Sequence, residues 1–173
     1  EVMSDVYQID FYSNGKLQYL FNTRDKLYLI DRNGNAVERY PVNLRSPASA
    51  GMALFDYEND GNFRIAVPGT NRDVYMYNKE GNIVPGWDFG EADFKIQHPL
   101  QHIRIGNNDY IIGNDKVRLH VLNRRGGTRV RLNQQIEHSE RNPVHFDEYS
   151  VSSGPRLVGT DNQGVVYYFG FDG

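Results

Sequence analysis

Leu27-Tyr28-Leu29-Ile30-Asp31-Arg32-Asn33-Gly34 sets a form that returns three times. The later copies are Val74-Tyr75-Met76-Tyr77-Asn78-Lys79-Glu80-Gly81, Leu119-His120-Val121-Leu122-Asn123-Arg124-Arg125-Gly126 and Val166-Tyr167-Tyr168-Phe169-Gly170-Phe171-Asp172-Gly173. Glycines at 34, 81, 126 and 173 place the copies 47, 45 and 47 residues apart. Each copy reads as an apolar strand running into a glycine-containing turn. In the first three copies a short strand follows, at Ala36 to Tyr40, Ile83 to Phe89 and Thr128 to Leu132.

Two more strands precede each copy. They are expected at Val6 to Phe11 and Leu17 to Phe21, Met52 to Asp56 and Phe63 to Val67, Leu100 to Ile105 and Tyr110 to Gly113, and Val144 to Tyr149 and Arg156 to Gly159. The turns match as well: Asp10 and Gly15 stand 46 residues before Asp56 and Gly61. The unit is therefore four short antiparallel strands in about 46 residues, the size of a β-propeller blade. A lone four-stranded sheet cannot bury both faces, so successive units must stack. The expectation is an all-β chain of about four blades, with repeats near 1–46, 47–92, 93–138 and 139–173 and about 15 strands. The last blade lacks its outermost strand. A β-sandwich is the alternative, and even spacing with matched turns argues against it. Four blades either close into a small ring or form an arc of a ring of six to eight. An open arc leaves a bare blade face and an unpaired edge, which invites homo-oligomerisation.

Composition agrees. The chain has 12 Tyr, 9 Phe and 17 Gly, which suit pleated surfaces and the turns between them. No capped 3.6-residue apolar period marks a long helix. Net charge is −3 and Cys is absent, so nucleic acid is not the expected partner and thiol chemistry and disulfides are excluded. No apolar run reaches the roughly 18 residues of a membrane span. The chain opens on Glu1 with no visible signal peptide, as expected of an excised part of a longer or processed product.

The second unit carries a family likeness. Leu54-Phe55-Asp56-Tyr57-Glu58-Asn59-Asp60-Gly61-Asn62-Phe63-Arg64-Ile65-Ala66-Val67 resembles the acidic loop and following strand of integrin-α-type (FG-GAP or VCBS-like) propeller repeats. The run on through Val74 to Tyr77 and Gly81 to Trp87 resembles their bacterial extracellular relatives. Trp87 is also faintly similar to the tryptophan-docking repeats of quinoprotein-type propellers. The other three copies keep the strand pattern without the acidic loop. The resemblance implies an extracytoplasmic protein (periplasmic, cell-surface or secreted) that adheres, scaffolds or binds ligands.

Asp56, Glu58 and Asp60 alternate before Gly61, as ligands at the first, third and fifth places of a calcium loop do. Arg64 stands where integrin-type loops usually place an acid, and Val67 where an EF-hand needs Glu. The competing reading is a hairpin turn built on Asx hydrogen bonds, with Arg64 supplying the opposing charge. Of the histidines, His98 and His102 are separated by Pro99 rather than set on a helix, and His120 holds the place of Tyr28, Tyr75 and Tyr167. His138 and His145 have no recognisable ligand partners. Lys116, Arg118, Arg124, Arg125, Arg129 and Arg131 form a basic cluster with only Asp115 opposing nearby in sequence. That cluster is either a patch for an acidic partner or an edge hairpin protected by charge. Arg104 and Arg156 in predicted strands either face solvent or pair between blades.

Catalytic signals are sparse. Ser49, Ser139, Ser150, Ser152 and Ser153 lie in no nucleophile-elbow setting, and Arg125-Gly126-Gly127 lacks phosphate-loop spacing. Asp147 and Glu148 are adjacent, so a strand would point them to opposite faces. The expected function is a non-enzymatic binding or scaffolding module, without cofactor unless the acidic loop takes calcium. Its expected partner is a protein or glycan, or the remainder of its own chain. The alternatives are a glycan-active or quinoprotein-type enzyme fragment and a purely structural segment.

Overall fold

A computed structural model describes residues 1–148 and 154–172. Tyr149, Ser150, Ser152, Ser153 and Gly173 therefore lie outside the described residues. Four antiparallel sheets follow one another along the chain. Sheet 1 holds β1 (Tyr7–Ile9), β2 (Gln18–Asn22), β3 (Lys26–Ile30) and β4 (Val42–Asn43). Sheet 2 holds β5 (Ala53–Phe55), β6 (Arg64–Pro68) and β7 (Val74–Asn78). Sheet 3 holds β8 (Gln101–Ile105), β9 (Asn108–Asn114), β10 (Leu119–Leu122) and β11 (Thr128–Val130). Sheet 4 holds β12 (His145–Asp147), β13 (Arg156–Thr160) and β14 (Val166–Phe169). Each is a meander in which sequence neighbours pair. Among the described residues no helix is long and apolar enough to cross a membrane.

Two of the expected outer strands are not formed as read. Ala36 makes a single bridge to Ile30, after which Glu38 takes a φ of 50° and Pro41 supplies no N–H. Pairing resumes only at β4, where Val42 faces Leu27 and Asn43 faces Lys26. In the second unit, Ile83 makes one bridge to Tyr77. Pro85 then withholds a donor and Gly86 turns the chain at a φ of 78°. Asp88 N–H donates to the Arg125 carbonyl at 2.8 Å, carrying this segment across to sheet 3. Sheet 2 is thus three-stranded, like sheet 4.

Period two along each strand decides how the sheets stack. Leu20, Leu27 and Leu29 of sheet 1 meet Met52, Ile65, Val67 and Tyr77 of the second unit in one core. The alternate residues of sheet 2, Ala53, Phe55, Ala66, Val74 and Met76, meet Ile111 and Leu122 of sheet 3. Their neighbours Ile112, Leu119 and Val121 meet Leu157 and Phe169 of sheet 4. Ile111 and Ile112, adjacent in β9, therefore belong to different cores. Among the described residues none of the three cores joins sheet 4 to sheet 1.

A buried amide fixes the first junction. Asn22 is fully buried, its Oδ1 accepting the Met52 N–H at 2.8 Å and its Nδ2 donating to the Thr23 carbonyl at 2.9 Å. Asn22→Leu strands the Met52 donor in the core. The expected loss is about 2 kcal/mol in urea unfolding. A loss below about 0.5 kcal/mol would show that the bond does not hold this junction.

Candidate partner-binding surface

Meander topology gathers the turns of every sheet at two ends. The turns after β1 and β5 share an end with those after β3, β7 and β10. The Asp10 carboxylate accepts backbone N–H bonds from Asn14 at 3.0 Å and Gly15 at 2.7 Å. One repeat later the Asp56 carboxylate accepts them from Asp60 at 3.1 Å and Gly61 at 3.0 Å. The loops are the same Asx-closed device. Those bonds hold the Asp10 carboxyl below the usual carboxylate range.

The device places an aromatic ring beneath a cation of the next sheet. Lys79 Nζ stands 5.7 Å from the Phe11 ring centre and donates to the Phe11 carbonyl at 3.3 Å. One repeat on, the Arg124 guanidinium stands 4.5 Å from the Tyr57 ring centre. Lys79 and Arg124 are each two residues before the turn glycine of their copy, and Phe11 and Tyr57 are 46 residues apart. Both junctions thus use one repeated cation–π contact, an interaction of about 0.5–2 kcal/mol.

At the second junction this contact sits on an ionic cluster. Asp109 of β9 is buried, its side chain 8% exposed. Its Oδ1 accepts the His102 Nε2–H at 2.7 Å and lies 3.2 Å from Arg104 Nε. Its Oδ2 lies 2.6 Å from Arg124 Nε, a charge contact in which the N–H is not aimed along the bond. Arg124 also donates to Glu58 Oε1 at 2.6 Å, and Arg104 Nη2 is 3.7 Å from Glu58 Oε2. Burial pushes the Asp109 carboxyl up, but the His102 hydrogen bond and the two guanidinium groups outweigh it and hold it below its ordinary value. Desolvation pushes the Tyr57 hydroxyl well above its usual range. The cluster ties sheet 2 to sheet 3 by charge where their apolar faces also meet.

Beside the first junction lies a groove of about 530 Å³ lined by Phe11, Tyr12, Glu38, Arg39, Lys79, Glu80 and Asn82. Tyr12 is 49% exposed and packs edge-on to Phe11 at 5.0 Å. Its hydroxyl donates to Glu38 Oε1 at 3.0 Å, which pushes that hydroxyl up. Arg39 Nη1 donates to Asn82 Oδ1 at 2.9 Å across the two sheets. The Tyr40 hydroxyl donates to the Lys79 carbonyl at 2.8 Å and fixes the floor. The groove therefore presents an aromatic face and both signs of charge on a held backbone.

The residues singled out from sequence fall as follows. Asp56, Glu58 and Asp60 are not gathered round one point: Asp56 closes its loop, Glu58 turns to Arg124 and Arg104, and Asp60 accepts the Asn62 N–H at 2.9 Å. Arg64 donates to Asn62 rather than to these carboxylates. Among the described residues no group of three His, Asp or Glu side chains is placed to hold a metal ion. The basic cluster is divided rather than continuous, and acids remote in sequence oppose it. Arg118 pairs with Asp93 at 2.7 Å, Lys116 with Glu137 at 3.1 Å, and Arg124 with Glu58 and Asp109. Arg129 bonds Asn108 and covers the Tyr110 ring, while Arg125 and Arg131 are exposed. Arg104 pairs with Asp109 inside sheet 3 at 3.2 Å and reaches Glu58 of the second unit at 3.7 Å, while Arg156 pairs with Asp147 inside sheet 4 at 2.9 Å. His120 packs on Phe89 and meets Asp115 Oδ2 at 3.2 Å. His98 Nε2 is 3.4 Å from the Ser139 carbonyl, and His145 is exposed. Asp109, Tyr12 and Glu38 carry no motif in the sequence, and His102 stands out there only beside His98. The one usable signal was the shared repeat position of Phe11 with Tyr57 and of Lys79 with Arg124.

No protein-family model matches this sequence, and no curated protein does. The likeness of Leu54 to Trp87 to integrin-α-type repeats is accordingly a resemblance of motifs and not a family assignment. Among solved structures the chain is similar to BBS1N in complex with ARL6DN. In a lead-soaked crystal the TM-score is 0.62 at 12% identity over 98% of this chain. In a mercury-soaked crystal it is 0.58 at 14% identity over 95% of this chain. The chain spans 54% and 49% of the length of those chains. At such identity the likeness speaks for fold alone. Together with four stacked antiparallel sheets, it shows that the chain folds as part of a β-propeller.

Proposed function

We propose that this chain is a non-enzymatic protein-recognition module whose contact site is the groove between the loop ends of sheets 1 and 2. The observation that carries the reading is the groove's make-up: an exposed Tyr12 flanked by Glu38, Arg39 and Lys79 on loops held by Asx bonds and by Tyr40. Exposed aromatic and Arg side chains on a rigid frame are the chemistry of interface anchors. The similar solved chains are crystallised with a protein, which supports the same class of partner.

The test is affinity capture from envelope and soluble fractions with the parent chain and with Arg39→Glu and Lys79→Glu. The expected result is one defined protein held by the parent and reduced at least about tenfold by each reversal of charge. Capture unchanged by both substitutions, or binding of glycans with no protein, would overturn the proposal.

A further inference from the structure

Sheet 3 has an open strand edge where sheets 1 and 2 have a covered one. In the hairpins that lead into β3, β7 and β10, one carbonyl accepts across the turn. Lys26 accepts the Thr23 N–H at 2.9 Å, Asp73 the Gly69 N–H at 2.8 Å and Arg118 the Asp115 N–H at 3.0 Å. Successive carbonyls of a strand point to opposite edges, so those of Leu27, Val74 and Leu119 all point outward, away from the preceding strand. These three residues hold one repeat position. In sheet 1, β4 covers that edge, with Val42 opposite Leu27. Sheet 2 is three-stranded, and there the Trp87 indole N–H donates to the Val74 carbonyl at 2.7 Å. In sheet 3, β11 pairs with β10 only as far as Val121, opposite Val130. Among the described residues no donor reaches the Leu119 carbonyl.

Trp87 stands 13 residues after Val74, and Leu132 stands 13 residues after Leu119, so Leu132 holds the place of Trp87. Its side chain is shorter and carries no N–H. Beside it opens a groove of about 380 Å³ lined by Leu119, Val121, Val130 and Leu132 together with Arg118 and Arg131. That volume lies in the range of about 300–1,000 Å³ that small-ligand clefts occupy. Apolar walls around one unmatched carbonyl suit an aromatic ring with a single donor on its rim. Trp87 on Val74 is that arrangement, packed on the core between sheets 2 and 3. The mouth of the groove is basic. Arg118 is engaged by Asp93 at 2.7 Å, whereas Arg131 is exposed and has no ion pair among the described residues. Arg131 therefore offers a carboxylate its charge, beside the seat of the ring.

We propose that this groove of sheet 3 binds an indole ring with an adjoining carboxylate, the ring N–H donating to the Leu119 carbonyl and the carboxylate meeting Arg131. The experiment is calorimetric titration of the chain with indole-3-acetate, with 1-methylindole-3-acetate, and with the acetylated amide of the dipeptide Asp-Trp. The expected result is binding of indole-3-acetate. The methyl group that removes the donor weakens it at least about tenfold, and so does Arg131→Glu. Leu132→Trp is expected to seat its own indole on Leu119, abolish binding and raise the melting temperature. Circular dichroism checks that both variants keep their sheets. Should Leu132→Trp fail to fold, the methyl comparison and the exposed Arg131→Glu decide alone. Tighter binding of the dipeptide than of the free acid supports a protein tryptophan as the source of the ring, and weaker binding supports a free indole acid. No binding of any probe at about 1 mM would overturn the proposal. Equal binding of the methylated compound, or a folded Leu132→Trp that binds as the parent does, would overturn it as well. The groove shares no residue with the one between sheets 1 and 2, so failure here leaves the recognition reading standing.

Discussion

Asp109→Ala is expected to lower the unfolding free energy by about 3 kcal/mol. The side chain is 8% exposed and holds His102, Arg104 and Arg124 within 3.2 Å. Removing it leaves two guanidinium groups facing each other with only Glu58 to offset them. Arg104 and Arg124 are partly exposed, at 45% and 35% of their side chains, so water relieves part of that repulsion and keeps the loss below the upper range for buried pairs. Asp109→Asn keeps an acceptor for His102 and is expected to lose about half as much. Urea unfolding monitored by Tyr and Trp fluorescence reads both. A loss under about 1 kcal/mol for Asp109→Ala would mean that this ionic cluster does not stabilise sheet 3, to which Asp109, His102, Arg104 and Arg124 all belong.

The second large effect is in acid. His138 is 2% exposed, and burial pushes its imidazole down to about 4; His120 and His98 add to this, and the nearby Asp115 carboxylate does not offset it. The folded value lies below the unfolded one of about 6.5, so between the two the unfolded chain binds the extra proton. Stability is therefore full above pH 6.5 and falls as pH drops toward 4. The slope is about 1.4 kcal/mol per pH unit, for a total of about 3 kcal/mol. The depressed carboxyls of Asp109, Asp115 and Asp161 act at lower pH, below the ordinary carboxylate value, whereas Asp73, whose carboxyl burial pushes up, works against the histidine in this window. His138→Gln is expected to flatten the profile between pH 4 and 6.5, whatever its effect at neutral pH. A profile as steep as the parent's would assign the acid sensitivity to other groups.

The stacked sheets were legible because period two and a period near 46 residues are local properties. Leu27, Leu29 and their copies carry them whatever the rest of the chain does. Boundaries failed where one residue overrides a run: Glu38 at positive φ and Pro41 interrupt the stretch after Gly34, and Pro85-Gly86 interrupts the one after Gly81. The site was harder to see because its pairs join different repeats. Arg124 and Glu58 are 66 residues apart, and Arg39 and Asn82 are 43 apart. Charges read by sequence neighbourhood leave the basic cluster with Asp115 as its only opponent, whereas the folded unit brings Asp93, Asp109 and Glu137 to it and stacking adds Glu58 of the preceding unit. Asp56, Glu58 and Asp60 alternate in sequence, and stacking turns Glu58 to Arg124 and Arg104 of the next sheet. Only the comparison of repeat positions reaches across that distance, and it pairs Phe11 with Tyr57 and Lys79 with Arg124.

The most direct test of the central claim is site-specific photocrosslinking from the groove. A benzophenone side chain at Arg39, on the groove wall, is compared with one at Asn71, which is exposed in the turn between β6 and β7 at the opposite end of sheet 2. The account predicts a covalent adduct with one defined protein from position 39 and none from position 71. No protein adduct from position 39, or the same adducts from both positions, would contradict it.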